Sequence, residues 1–241
     1  MVGHAMIPAF HGELGLRIRY HVPQVHALLA TNPQPVEIER GLEALYPRAT
    51  DYAYSQRPKD DDRHGRPPKL CDREERFVPE PFVTCGVTAK VVICPRGRRY
   101  GAAKNWDHWH TLTDIDGVFA AGAPDSSQQV DCPAAWDFNR PHLDASIEAM
   151  LSADLVVASD SGLAHLAILC GRPLLLLSHN GKVAPGPVID SHGRQARKEY
   201  WPVRMAEYYH AANHKAAPIY ECATAWDEPA TVRETIERII A

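Results

Sequence analysis

Residues 153–177 read ADLVVASDSGLAHLAILCGRPLLLL, and this stretch decides the fold. Asp154 to Ser159 is a segment of strand length with the apolar centre Leu155 to Ala158, and Arg172 to Leu177 is a second, ending in four leucines. Between them, Ser161 to Cys170 has the length of a short helix, with Gly171 standing where a glycine ends a helix in a left-handed conformation. Two strands apolar throughout and joined by a helix specify parallel neighbours buried on both faces.

The same alternation extends upstream. Lys90 to Cys94 reads as a strand stopped by Pro95, Lys104 to Leu112 as a helix, and Gly117 to Ala121 as the next strand. Leu143 to Ala153 carries apolar residues at 143, 147, 150 and 151, one face of a helix. Glu228 to Ile240 repeats this with Val232, Ile236, Ile239 and Ile240. The half from residue 87 to 241 is therefore expected to be Rossmann-like.

Residues 1–86 are expected to form a reduced α/β domain. It would hold a strand in Val2 to Pro8, a helix bearing Val22, Val25, Leu28 and Leu29, and short strands at 36–38 and 52–54. Residues 57–75 (RPKDDDRHGRPPKLCDREE) lack apolar periodicity and read as a charged surface loop.

Composition limits the function classes. The chain has 241 residues, 45% hydrophobic and 23% charged, which excludes wholesale disorder. A net charge of −4 excludes a general polyanion binder, so any nucleic-acid contact needs a local patch. Arg194, Arg197, Lys198, Trp201, Arg204, Tyr208, Tyr209 and His210 supply one basic, aromatic stretch. The start of the chain lacks a signal-peptide pattern and no apolar run is long enough to span a bilayer. Six cysteines lie without CxxC spacing. Together these give the expectation of a cytoplasmic protein with reduced thiols.

In an open parallel sheet, ligands bind beyond the carboxyl ends of the strands, where helix N-termini aim free N–H groups outward. Directly after the strand ending at Ser159 stands Asp160-Ser161-Gly162-Leu163-Ala164-His165. The amides of Ser161, Gly162 and Leu163 make a half-positive nest suited to phosphate, although a plain helix cap would use the same residues. After the strand ending at Cys94 comes a glycine-containing loop with Arg96, Arg98, Arg99 and Lys104, the densest basic cluster in the chain. Forked guanidinium groups and a lysine point charge suit a diphosphate.

These two strings, with the triplet Lys104-Asn105-Trp106, resemble the C-terminal, donor-binding domain of the heptosyltransferase-like glycosyltransferases over roughly residues 88–180. The resemblance implies two Rossmann-like domains in the B-type glycosyltransferase architecture, with the N-terminal one shortened here. It implies a nucleotide-diphosphate sugar as co-substrate, with neither cofactor nor metal. Asp160, Ser161, Gly162, Leu163 and His165 would form one wall of the diphosphate site. Lys104 and an arginine among Arg96, Arg98 and Arg99 would neutralise the leaving phosphate. Trp136, Asp137, Phe138 and Leu143 would flank the nucleoside.

An inverting transfer also needs a base for the acceptor hydroxyl. The family places an acidic residue in a glycine-containing loop near the N-terminus. Here that loop reads Phe10 to Arg17, with Leu16 where an aspartate is usual. Glu13 is the candidate base and His11 the second choice, against the plainer reading of a polar turn. The implied partners are a nucleotide sugar and an acceptor, either a saccharide or a hydroxymethylated base in DNA. A nucleotide-sugar binding module without catalysis and a nucleotide-sugar epimerase are the alternatives. Trp106-Asp107-His108-Trp109-His110 holds two histidines, but their i, i+2 spacing puts them on different helical faces and argues against zinc.

Overall fold

A computed structural model describes residues 6–10, 14, 17–55, 70–71, 77–98, 105–139, 142–159, 161–177, 219–221 and 228–241. Its centre is a five-stranded sheet of β3 (Val91–Cys94), β4 (Val118–Ala120), β5 (Leu155–Ser159), β6 (Leu174–Leu177) and β7 (Ile219–Glu221). The spatial order is β4-β3-β5-β6-β7, and every pairing is parallel.

The reason is legible in the burial. Every residue of β3, β5 and β6 is buried, so neither face tolerates polar alternation. One face carries Val92, Cys94, Val156, Ala158, Leu174 and Leu176. It is covered by α2 (His142–Ser152) and α3 (Gly162–Leu169), through Ile147, Met150, Ala164 and Leu166. The other face carries Val91, Ile93, Leu155, Val157, Leu175 and Leu177 against Val232 and Ile236 of α4 (Pro229–Ile240). Truncating any of these large aliphatic residues to alanine is expected to cost about 2–5 kcal/mol.

Helix α3 ends as the sequence predicts. Gly171 takes φ +68°, its N–H donates to the Ile168 carbonyl at 3.0 Å, and the Arg172 N–H donates to the Ala167 carbonyl at 3.2 Å. This pair of bonds satisfies the last carbonyls and turns the chain directly into β6.

The N-terminal part has a smaller parallel sheet of β1 (Val36–Ile38) and β2 (Tyr52–Tyr54). Ile7 pairs with Val36 in the same sense, the described end of the strand expected in Val2 to Pro8. Helix α1 (Val22–Thr31) follows a single π-helical turn, Arg17–His21. Val22, Val25 and Leu29 join the same hydrophobic cluster as Val92 and Val156, so the core is continuous between the two sheets. Of the charged loop, Leu70 and Cys71 are described, and their N–H groups donate to the Gln24 side chain on α1 at 2.7 and 3.4 Å.

The helix expected over 104–112 is not formed. A 3-10 turn spans Trp109–Leu112, residues 105–108 are non-helical, and Lys104 lies outside the described residues. Trp106 and Trp109 are instead both buried and meet edge to face, centroids 5.2 Å apart. The Thr111 and Thr113 hydroxyls donate to the carbonyls three residues back, closing tight turns at the expense of a regular helix. Among the described residues, no helix is long and apolar enough to cross a membrane.

Candidate functional site

The strand order sets where a ligand can enter. From β3 the chain moves outward to β4, then crosses back to β5 on the other flank of β3. The crevice between the carboxyl ends of β3 and β5 is thus the switch point of the sheet. In register, Cys94 stands opposite Ala158. The loop beginning Pro95-Arg96 and the turn into Ser161-Gly162 therefore leave the sheet as neighbours.

Ser161 precedes α3 in extended conformation, φ −156° and ψ 173°. Its carbonyl accepts from the Ala164 and His165 N–H groups at 3.1 and 3.4 Å, which starts the helix. Its side chain makes no capping bond, and Oγ is buried with no hydrogen-bond partner among the described residues. The first N–H groups of α3 have no acceptor inside the helix and carry its positive end. Leu163, whose amide belongs to this nest, sends its side chain toward Gly122 in the turn after β4. His165 lies one turn in and is buried, 5% exposed. Asp160 lies outside the described residues.

The basic loop is braced rather than loose at its described ends. Arg96 bridges Ser127 in antiparallel fashion. The Gly97 N–H donates to the Ser126 carbonyl at 2.9 Å, and the Gln128 N–H donates to the Pro95 carbonyl. An Arg96 Nη1 donates to Asn105 Oδ1, and Asn105 Nδ2 donates to the Arg98 carbonyl at 3.0 Å. The Arg98 residue is exposed. Arg99 and Lys104 lie outside the described residues.

The nucleoside-flanking candidates are gathered after β4. Ala134 pairs with Ala120, and a 3-10 turn spans Ala135–Asp137. The Asp137 carboxylate accepts the Ala134 N–H at 2.8 Å while the residue stays exposed. Trp136 packs on the cluster that holds Trp106 and Trp109, whereas Phe138 and Leu143 pack on the opposite one. His142 donates through Nδ1 to the Ala135 carbonyl at 3.1 Å, tying this turn to the start of α2.

His11 and Glu13 lie outside the described residues. The described residues that follow in the chain include groups that sequence reasoning did not single out. The π-helical turn Arg17–His21 packs against α3, the helix that follows Ser161. Its first residue, Arg17, is buried and pairs with Glu39 at 2.9 Å. His21 is held between the Pro8 carbonyl (Nε2, 3.2 Å) and the Tyr46 hydroxyl (Nδ1, 2.9 Å). The carbonyl only accepts, so Nε2 bears the proton and Nδ1 accepts from Tyr46. Burial, opposed by the Pro8 hydrogen bond and assisted by the Arg17 charge, lowers the His21 pKa from 6.5 to about 4. No local pattern marks Arg17 in advance, because a π-turn has no sequence signature apart from that of a helix.

Among the described residues, no three His, Cys, Asp or Glu side chains converge as metal ligands. What the candidate site offers chemically is a set of main-chain N–H groups, a hydroxyl with no hydrogen-bond partner among the described residues, and arginines on a braced loop.

In sequence, neither a protein-family model nor a curated protein matches the chain. In three dimensions, solved structures do. The ADP-heptose lipopolysaccharide heptosyltransferase II of E. coli superposes with a TM-score of 0.54 at 15% identity, over 98% of this chain and 98% of that one. The dodecameric, iron-containing heptosyltransferase TibC, from enterotoxigenic E. coli, gives 0.51 at 14% identity, over 98% of this chain and 76% of that one. TibC was solved with ADP-D-β-D-heptose bound. This chain accordingly has a heptosyltransferase-like α/β glycosyltransferase fold of the B type.

Proposed function

We propose that this protein transfers a sugar from a nucleotide-diphosphate donor to an acceptor hydroxyl, with inversion and without a metal. What supports this reading is the shared sheet edge: Arg96 and Arg98 follow β3 and Ser161 follows β5, two strands whose ends pair in register, and the Ser161 hydroxyl is buried with no hydrogen-bond partner among the described residues. Cleaving a sugar–phosphate bond leaves a nucleoside diphosphate, whose growing charge needs fixed donors and cations at that position.

In the proposed step the acceptor oxygen attacks the anomeric carbon from the face opposite the diphosphate. The bond to the phosphate oxygen breaks, and the acceptor proton passes to Glu13. The amides of Ser161, Gly162 and Leu163, with Lys104 and the loop arginines, receive the departing charge. The heptosyltransferase-like fold and the ADP-heptose bound by TibC make an ADP-linked heptose the first donor to test. A saccharide is the first acceptor to test, and a hydroxymethylated base in DNA is the second.

The test incubates the full chain with ADP-, GDP-, UDP- and CDP-linked sugars, with and without each acceptor, and follows nucleoside diphosphate and product mass. Release that requires an acceptor is expected, with Glu13→Gln binding donor but not transferring. Isomerised donor without acceptor, or donor binding without turnover in any combination, overturns the proposal in favour of an epimerase or a binding module.

A further inference from the structure

One side chain outside the diphosphate wall joins the two described ends of the basic loop. Gln128 stands in the segment after β4, and its Nε2 group donates twice, to the Arg96 carbonyl and to the Trp106 carbonyl, both at 2.9 Å. Those acceptors are ten residues apart in sequence and mark where the loop leaves β3 and where it is buried again. A carboxamide is the side chain for this task, since one nitrogen brings two N–H donors to two converging carbonyls.

The surroundings fix Gln128 itself. Its main-chain N–H donates to the Pro95 carbonyl, and its neighbour Ser127 bridges Arg96. A Cβ on Gly97 would stand 2.8 Å from the Gln128 nitrogen, so the two segments lie in backbone contact there. Trp106, whose carbonyl is one of the two acceptors, is 1% exposed and gives the far end a rigid seat. Asn105 adds an inner tie between Arg96 and Arg98.

We infer that Gln128 is a positioning residue: by joining the Arg96 and Trp106 carbonyls it holds Arg96 and Arg98 at the sheet edge in the arrangement that receives an anion. Closing a loop of this length carries an entropic cost, and a fixed cross-tie meets it before any ligand arrives. The inference rests on the proposed function only for the identity of that anion as a nucleoside diphosphate.

Gln128→Leu removes both donors at nearly constant volume, and hydrogen exchange without ligand reads the result. Peptides covering 95–98 and 105–107 are expected to exchange about tenfold faster, with β5 and β6 unchanged. Unchanged exchange at both ends overturns the inference, as does acceleration throughout the sheet, which would make Gln128 a general stability residue. A second arm titrates ADP, GDP, UDP and CDP into wild type, Gln128→Leu, Arg98→Ala and the double variant. Gln128→Leu is expected to weaken binding about tenfold in wild type and much less when Arg98 is already absent. Equal losses on both backgrounds contradict action through the loop. A wild type that binds none of the four overturns the proposed function, and the exchange arm then decides the role of Gln128 alone.

Discussion

Cys94 stands opposite Ala158 in the parallel register of β3 and β5, so the chain leaves the two strands side by side. Everything proposed for the site depends on that pairing. It sends the loop carrying Arg96 and Arg98 and the turn into Ser161, whose side chain makes no cap bond, from adjacent strand ends.

The serine gives the first prediction. Replacing a working N-cap serine by alanine costs roughly 0.5–2 kcal/mol. The Ser161 hydroxyl makes no cap bond, so Ser161→Ala should leave the unfolding midpoint nearly unchanged. Nucleoside-diphosphate affinity should nevertheless fall by roughly 10- to 100-fold, as expected for one lost hydrogen bond to a charged group. Thermal unfolding and titration on the same sample separate the two roles. A large loss of stability with intact binding would return Ser161 to an ordinary cap.

Gly97 gives the second. The Cβ of an alanine there would lie 2.8 Å from Gln128 N and Ser127 C, both main-chain atoms that cannot swing aside. Gly97→Ala should destabilise by roughly 1–3 kcal/mol through overpacking. Urea denaturation measures this, and a variant as stable as wild type would show that the two segments are not in contact.

The third concerns pH. His21 has a folded pKa of about 4 against an ordinary value of 6.5, so between these values the unfolded chain binds the extra proton. Stability is then complete above about 6.5 and is lost as pH falls toward 4, by up to roughly 3 kcal/mol. His21→Gln retains hydrogen-bonding capacity without a titrating group and should flatten this part of the profile. Urea midpoints between pH 4.5 and 7 that fall equally in both proteins would contradict the assignment.

How much of this was legible in the sequence depended on how local the cause was. Strands β3, β5 and β6 announced themselves because burial on both faces demands unbroken apolar runs. Gly171 was equally plain, since its position demands positive φ. Ile219–Glu221 went unnoticed because three residues with a charged end carry no such run. The stretch 104–112 misled because two tryptophans three residues apart imitate a helical face while packing around a tight turn. Within the candidate site, Ser161 and Arg96 drew attention in the sequence because each stands just past the carboxyl end of an apolar strand. Gln128 could not, because its carbonyl partners lie 32 and 22 residues away and leave no pattern along the chain.

The most direct measurement is calorimetric titration of ADP, GDP, UDP and CDP, and of their parent nucleosides, into wild type, Lys104→Ala and Ser161→Ala. At least one diphosphate is expected to bind well above its nucleoside, and each substitution to weaken the diphosphate while sparing the nucleoside. Diphosphates that bind no better than nucleosides, or binding that both variants retain in full, would contradict a pyrophosphate grip at this sheet edge.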